Sequence, residues 1–334
     1  MSNIRVAING FGRIGRLTFR ALLERAEVEI VAINDLTDTH TLAHLLKYDS
    51  VQGTFAGEVS NNDDTIIVNG KSIKALKEAD PAKLPWADMK IDVVIESTGR
   101  FVKKEEMMKH VEAGAKRVIL SAPPKGDVPI YVMGVNDNEL SANDIVLSNA
   151  SCTTNCLAPM VKVIDDLCGI QSGFLSTIHS YTSDQRLIDA PHSDLRRARS
   201  AAINIIPTST GAAEAVGKVL KHLNGKLTGG SFRVPTPTGS VTDFVCLVNK
   251  SVTAEEINNA FKAAAEGPMK GILKYTTLPL VSADIVGDVH SCILDSDLTM
   301  VNGNLVKVVG WYDNEAGYSN RMADITIKVG NLIA

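Results

Sequence analysis

Residues 4 to 35 constrain this chain more than any other stretch. Ile4-Arg-Val-Ala-Ile8 is a short apolar strand. Asn9-Gly10-Phe11-Gly12-Arg13-Ile14-Gly15-Arg16 follows, and Leu17 to Arg25 continues with helical spacing. A second apolar strand, Val28 to Ile33, ends in Asn34-Asp35. Glycine-rich turns are common, so the turn alone says little. Strand, G-x-G-x-x-G, helix, strand and terminal carboxylate in register describe a dinucleotide-binding βαβ unit. The glycines allow a tight turn, close approach of a pyrophosphate, and packing of helix on sheet, and the first helical turn offers N–H groups to phosphates. Asp35 is placed to bond the adenosine ribose hydroxyls. Its charge would repel a 2′-phosphate, so the expected cofactor is NAD rather than NADP.

Further strand-like runs follow at 65–68, 92–96, 116–120 and 130–133, with helical stretches near 38–48 and 103–114. Strands alternating with helices predict a doubly wound, largely parallel sheet of Rossmann type. Ligands bind such sheets beyond the carboxyl ends of strands. The polar turns Ser97-Thr98-Gly99-Arg100 and Ser121-Ala122-Pro123-Pro124 are expected there, either as ordinary turns or as the lining of the nicotinamide side.

The second constraint is Ser148 to Cys156, SNASCTTNC. It follows the apolar run Ile145-Val-Leu147, read as a buried strand. It opens a helix on which Leu157, Met160, Val161, Ile164 and Leu167 recur about one turn apart. Ser151 or Asn149 can cap that helix, so Cys152 falls at its first turn. Partial positive charge there favours a thiolate, and cysteines so placed can titrate as low as about 3.5–7.5. Polar neighbours argue against a sealed core position for Cys152. Cys156, one turn on, is expected to point into the core.

Composition narrows the partners. A formal net charge of -4 in 334 residues gives no basic field, and aromatics are 5%, so neither nucleic acid nor a membrane surface is expected. Five cysteines, an odd number without C-x-x-C spacing, fit neither a disulfide framework nor a zinc site, and no metal is expected. With no apolar leader at MSNIRVAING, the expectation is a protein of the cytoplasm. The length suits two domains. They are placed at 1–150 for the nucleotide and 151–314 for catalysis and phosphate binding. Residues 315–334 form a last helix returning to the first domain. The second domain is expected to be α+β with a mostly antiparallel sheet.

Within it, Ser172 to Ser180 is an apolar strand that ends at His179 and leads to Tyr181-Thr182. A lone histidine is more often structural. This one shares its half with an activated thiol, and a Cys–His pair can move protons during covalent catalysis. The long loop from 183 to 200 carries Arg186, Arg196, Arg197 and Arg199, as a functional loop, a solvated basic face or a subunit contact. Thr210-Gly211 opens a helix, by capping or as an anion site. Arg233 lies in an otherwise apolar strand and needs a partner, for which phosphate is well suited.

Together these segments resemble the glyceraldehyde-3-phosphate dehydrogenase family. The match runs through INGFGRIGR at 8–16, NDL at 34–36, ESTG at 96–99, SAP at 121–123 and ASCTTNC at 150–156. It continues through HSYT at 179–182, PTSTGA at 207–212, RVPTP at 233–237 and WYDNE at 311–315. The resemblance implies oxidation of glyceraldehyde 3-phosphate with NAD in glycolysis or gluconeogenesis, through a Cys152 hemithioacetal and thioester, with His179 as base and inorganic phosphate as acceptor. It implies that Thr182, Arg233 and Arg197 bind the substrate phosphate, and that Ser151, Thr153, Thr210 and Gly211 hold the attacking phosphate. NAD would meet Gly10, Gly12, Arg13, Ile14, Gly15, Asp35, Ser121 and Asn314, with Lys77 near the adenine. It implies a homotetramer in which the 183–200 loop meets a neighbour's cofactor. Ala190-Pro191 stands where strongly NAD-selective members carry Leu-Pro. The rival family, erythrose-4-phosphate dehydrogenase, lacks the Tyr-Thr and Thr-Gly present here at 181–182 and 210–211. A non-catalytic NAD-binding scaffold would not need the intact Cys–His pair.

Overall fold

The computed structural model describes residues 3–333, in two compact units. The first comprises the chain up to residue 131, 138–150 and from 319 onward. Its elements are β1 (Ile4–Asn9), α1 (Arg13–Leu23), β2 (Val28–Asn34), α2 (Thr39–Lys47), β3 (Val59–Asn62), β4 (Thr65–Val68) and β5 (Lys71–Leu76). β6 (Val93–Glu96), α3 (Lys104–Glu112), β7 (Arg117–Leu120) and β8 (Val146–Ser148) complete it. The eight strands lie in the order β3-β4-β5-β2-β1-β6-β7-β8. β5 through β8 run parallel, and β3 and β4 add an antiparallel edge. β1 and β6 carry near-continuous apolar runs because both faces of the sheet are covered.

The predicted strand at 130–133 does not form. Ile130 makes only a single bridge to Ser148, and the chain turns at Gly134, whose φ is +80°. The hairpin strands β3 and β5 escape periodicity because their faces are half-exposed and polar.

The second unit comprises 132–137 and 151–318. Its elements are α4 (Cys152–Cys168), β9 (Ile170–Ser180), β10 (Ile206–Thr208), α5 (Ala212–Val219), β11 (Leu227–Val234) and β12 (Ser240–Val248). α6 (Ala254–Glu266), β13 (Leu273–Thr276), β14 (Cys292–Asn302) and β15 (Leu305–Tyr312) follow. The last helix, α7 (Ala316–Gly330), is shared between the units, and its part beyond residue 318 packs in the first, where Arg25 pairs with Asp324 at 3.2 Å. The seven-stranded sheet, β10-β11-β9-β12-β15-β14-β13, is mostly antiparallel. The pairs β11–β9 and β13–β14 are parallel. α4 lies on this sheet closely enough that a Cβ on Gly310 would stand 2.6 Å from Met160 Sδ and 2.7 Å from Cys292 Sγ. Only a glycine lets the helix settle at that depth.

Candidate active site

In the first unit the strand order reverses between β1 and β6, and a cavity opens at their carboxyl ends. Asn9, Gly10, Gly12, Asn34, Asp35, Ser97, Thr98 and Arg100 line it, among others. Gly10 has φ +93°, and a Cβ there would stand 2.6 Å from the Thr98 nitrogen. Gly12 is the N-cap of α1 and uses no side-chain cap, and a Cβ on it would meet nothing within 4 Å. An open helix start beside bare backbone is a cradle of the kind a pyrophosphate fills. Asp35 accepts from the Phe11 and Thr37 N–H groups at 2.9 and 3.0 Å, which fixes its carboxylate at the cavity. The residues present therefore fit a dinucleotide.

The remaining expected cofactor residues are spread more widely. Arg13 turns its guanidinium to Asp49 at 3.0 Å, while Ile14 and Gly15 sit in the first turn of α1. Ser121 follows β7 and donates its N–H to the Glu96 carbonyl. Lys77 is exposed, one residue before Glu78 and Ala79 of the cavity wall.

Beneath the cavity lies a network that periodicity could not reveal. Glu96 and His110 are fully buried. Trp86 Nε1–H donates to His110 Nδ1 at 2.9 Å, so His110 carries its proton on Nε2 and donates it to Glu96 Oε2 at 3.1 Å. Asn9 Nδ2 donates to the same oxygen at 2.6 Å, and the Thr98 N–H and hydroxyl donate to Oε1. Four donors thus satisfy one buried carboxylate, and three of them belong to two residues of the cavity wall, Asn9 and Thr98.

In the second unit Ser151 caps α4, accepting from the Thr154 N–H, and Cys152 is the first helical residue. The helix start brings Cys152 Sγ to 3.4 Å from His179 Nε2, at the end of β9. The expected depression of the thiol is overturned. Although Cys152 is only half-buried as a residue, the protein packed around its sulfur pushes the thiol up. The Arg233 cation and bonds from Thr153 pull the other way and lose. Burial likewise pushes His179 down to about 3, with the Arg233 cation adding to it. Burial therefore works against charge on either partner. Cys156 is fully buried, against the Gly310 carbonyl.

Strand register assembles the rest. Arg233 on β11 is the direct parallel partner of His179 on β9. Its Nη1 lies 2.8 Å from His179 Nδ1 and 3.0 Å from the Ser180 carbonyl oxygen. Arg233 Nε is buried with no partner among the described residues. Thr182 donates its N–H to Gln185 Oε1, and the buried Gln185 Nε2 also has no partner among them. Arg197 instead bonds Asp184 at 2.5 Å and Thr208 Oγ1 at 2.9 Å. Thr210 Oγ1 accepts from the Ala212 N–H at the start of α5, where Gly211 is the N-cap. Thr153 turns its hydroxyl to Tyr312 at 2.9 Å. Tyr312 also bonds Thr177 at 2.9 Å and sets its ring edge-on to His179, centroids 5.9 Å apart. Ser180, Ser240 and Thr238 surround Asn314 Oδ1. Sequence reasoning assigned no part to Tyr312, Gln185 or Glu96. Only the WYDNE and ESTG segments hinted at two of them.

Residues 4–104 match the family described as glyceraldehyde 3-phosphate dehydrogenase, NAD binding domain, and residues 151–314 match its C-terminal domain. The chain belongs to the glyceraldehyde-3-phosphate dehydrogenase family. Among relatives of this dehydrogenase family, glyceraldehyde-3-phosphate dehydrogenase 2 of Streptomyces avermitilis is 58% identical over 331 residues, 98% of this chain and 99% of that protein. Glyceraldehyde-3-phosphate dehydrogenase 1 of Bacillus cereus is 58% identical over 323 residues, 96% and 97% of the two chains. Glyceraldehyde-3-phosphate dehydrogenase 1 of Bacillus subtilis is 56% identical over 328 residues, 98% of each. Among the described residues, no helix is long and apolar enough to cross a membrane.

Proposed function

We propose that the chain oxidises D-glyceraldehyde 3-phosphate to 1,3-bisphosphoglycerate with NAD and inorganic phosphate, in glycolysis or gluconeogenesis. The observation that carries this is the Cys152 sulfur 3.4 Å from a neutral, buried His179 imidazole, in a chain of this family. Cys152 gives its proton to His179 Nε2 and attacks the aldehyde carbon, and the imidazolium passes that proton to the carbonyl oxygen, so that a hemithioacetal forms and the ring is neutral again. His179 then takes the hydroxyl proton of that adduct, and a thioester to Cys152 is left. NAD, when bound, supplies the hydride acceptor. Phosphate attacks the thioester and frees the sulfur, keeping in the acyl phosphate the oxidation energy that hydrolysis would lose. A neutral imidazole suits both transfers, because an imidazolium accepts no proton.

Gly10, Gly12, Arg13, Ile14, Gly15, Asp35, Ser121 and Asn314 would hold NAD, with Lys77 near the adenine. Thr182 and Arg233 would bind the substrate phosphate, and the buried, unpartnered Arg233 Nε supports that role. Arg197 is a further contributor. Ser151, Thr153, Thr210 and Gly211 would hold the attacking phosphate. The domain roles follow, with nucleotide binding in 1–150 and catalysis in 151–314. A homotetramer in the cytoplasm is also proposed. Leu187, Leu195 and Ile203, 76–81% exposed in and just beyond the 183–200 loop, are too apolar for a solvated basic face and favour a subunit contact.

The test is a steady-state assay pairing NAD or NADP with glyceraldehyde 3-phosphate or erythrose 4-phosphate, with and without phosphate. NAD reduction with glyceraldehyde 3-phosphate that requires phosphate is expected. Turnover indifferent to phosphate, or preference for erythrose 4-phosphate, would refute it. Cys152→Ser should abolish oxidation and leave NAD affinity near the parent's. Substantial activity in that variant would mean that another nucleophile does the chemistry.

A further inference from the structure

At its carboxyl end β2 stops pairing with β5 through the backbone and continues through a side chain. The two strands run parallel as far as the Asn34–Leu76 pair, and the Asp35 N–H still donates to the Leu76 carbonyl at 3.1 Å. The next rung of a parallel ladder would take the Glu78 N–H to the Asp35 carbonyl. Here the Asn34 carboxamide takes it instead. Its Oδ1 accepts from the Glu78 N–H at 2.9 Å, and its Nδ2 donates to the Glu78 carbonyl at 2.9 Å. One side chain thus holds both backbone polar groups of Glu78, at the point where the strands part and the cavity opens. Glu78 and Ala79 line that cavity together with Asp35 and Leu36. Residues 77–80 belong to no helix or strand, and the bond from the Asp80 N–H to the Glu78 carboxylate, at 2.8 Å, is internal to them.

A carboxamide can be turned over end for end. At Glu78 that would set N–H against N–H and oxygen against oxygen. The orientation is fixed from deeper in the sheet. Glu96 is a carboxylate and accepts only, so Asn9 presents Nδ2 to it, at 2.6 Å. Asn9 Oδ1 is left facing β2, where it accepts from Asn34 Nδ2 at 2.7 Å. Nδ2 has two hydrogens, one for Asn9 and one for the Glu78 carbonyl, and Oδ1 is thereby turned to the Glu78 N–H. Asn9, Asn34 and Glu96 are all buried, so a wrong orientation would leave polar atoms unpaired away from water.

We propose that Asn34 is a positioning residue for NAD: its carboxamide, oriented through Asn9 by the Glu96 carboxylate, holds the Glu78 backbone as the adenosine wall of the cavity. The carboxylate that anchors Thr98 against Gly10 thereby also sets a wall on the far side of β1 and β2. Asp35 offers the ribose hydroxyls an acceptor at a fixed place, and the clamp on Glu78 fixes the surface beside it. The inference rests on the reading of this cavity as the NAD site, and it adds what shapes the adenosine half of that site.

Calorimetric titration with NAD and with ADP-ribose, which keeps the adenosine and pyrophosphate but lacks nicotinamide, reads the wall without turnover. Asn34→Ala should raise both dissociation constants by the same factor, roughly tenfold. In steady state the KM for NAD should rise while kcat at saturating NAD holds, because no reacting group is altered. Unchanged affinity for ADP-ribose, a loss seen with NAD alone, or a fall in kcat with KM unmoved overturns the proposal. Asn9→Ala should weaken ADP-ribose as well, and adding it to Asn34→Ala should weaken binding no further, since Asn9 acts through Asn34. Additive losses overturn the relay. Hydrogen exchange, read by mass spectrometry on a peptide containing Glu78, reports the clamp with no ligand present. It should quicken in Asn34→Ala while β5 keeps its protection, and unchanged exchange overturns the proposal. In the parent, saturating ADP-ribose should slow exchange in that peptide. Absence of slowing also overturns it, and this arm needs no variant, so it decides if Asn34→Ala does not fold. Failure of the parent to bind either ligand would instead sink the cofactor site itself, and exchange at Glu78 would still read out separately.

Discussion

Replacing Gly12 by Ala should separate folding from cofactor binding in one substitution. Gly12 has φ -71° and ψ -163°, a conformation open to alanine, and the added methyl meets nothing within 4 Å. The remaining cost is that of alanine rather than glycine at an N-cap, about 1 kcal/mol or less. For a unit of this size that lowers Tm by no more than about 4 °C. The methyl stands, however, where the pyrophosphate must approach the start of α1. Losing a charged hydrogen bond and much of the helix-terminus interaction costs about 2–3 kcal/mol, or roughly 30- to 150-fold in Kd. Thermal denaturation of the ligand-free protein and calorimetric titration with NAD measure the two quantities separately. Gly10→Ala supplies the contrast. With φ +93° and its Cβ 2.6 Å from the Thr98 nitrogen, it should lose at least ~2 kcal/mol of stability as well as NAD. Gly12→Ala binding NAD within about threefold of the parent, or unfolding as easily as Gly10→Ala, would refute the reasoning.

Glu96→Gln places an amide nitrogen among four donors, and neither orientation satisfies it. A loss of about 3 kcal/mol is expected, with weaker NAD binding because Asn9 and Thr98 lose their anchor. Unchanged melting would show that the carboxylate is not the hub. Tyr312→Phe removes the partner of the buried hydroxyls of Thr153 and Thr177. Thr177 keeps a 3.4 Å bond to the Val241 oxygen, so about 2 kcal/mol is expected from denaturant titration. Burial alone would raise the Asp288 carboxyl, but bonds from His290 and Lys274 hold it well below the usual carboxylate range. A depressed folded value stabilises above the unfolded pKa of about 3.9, and the gain is lost as pH falls. Asp288→Asn should therefore melt lower than the parent at pH 7, with the gap closing below about pH 4. A gap that widens in acid would reverse the assignment.

What the sequence disclosed and what it hid follow from how each feature is encoded. The βαβ start and the α4 helix are local, written in glycines, a Ser151 cap and helical spacing, and their chemistry was legible. β14 was not, because Asp295 and Ser296 interrupt its apolar run. Both are buried in the fold, where Asp295 accepts from Trp311 Nε1 and Ser296 donates to the Thr276 carbonyl. Such partners come from the neighbouring strands β13 and β15, outside the run in which Asp295 and Ser296 are read, so nothing within that run announces them. The Cys152 thiol went the wrong way for the same reason. A helix start is visible in the chain, whereas the desolvation that outweighs it depends on what the folded protein packs around the sulfur.

The pairing of Arg233 with His179 depends on parity. β9 and β11 run side by side in unbroken register from Gly173–Leu227 to Ser180–Val234. Deleting one residue ahead of Arg233 within β11 would leave hydrogen bonding between the strands intact while swinging the guanidinium through to the opposite face of the sheet. Arg233 tolerates no such slip. A turn such as 221–226, whose length is not counted in twos, can gain or lose a residue where the strand beyond it cannot, and indels in homologues should crowd into the turns accordingly.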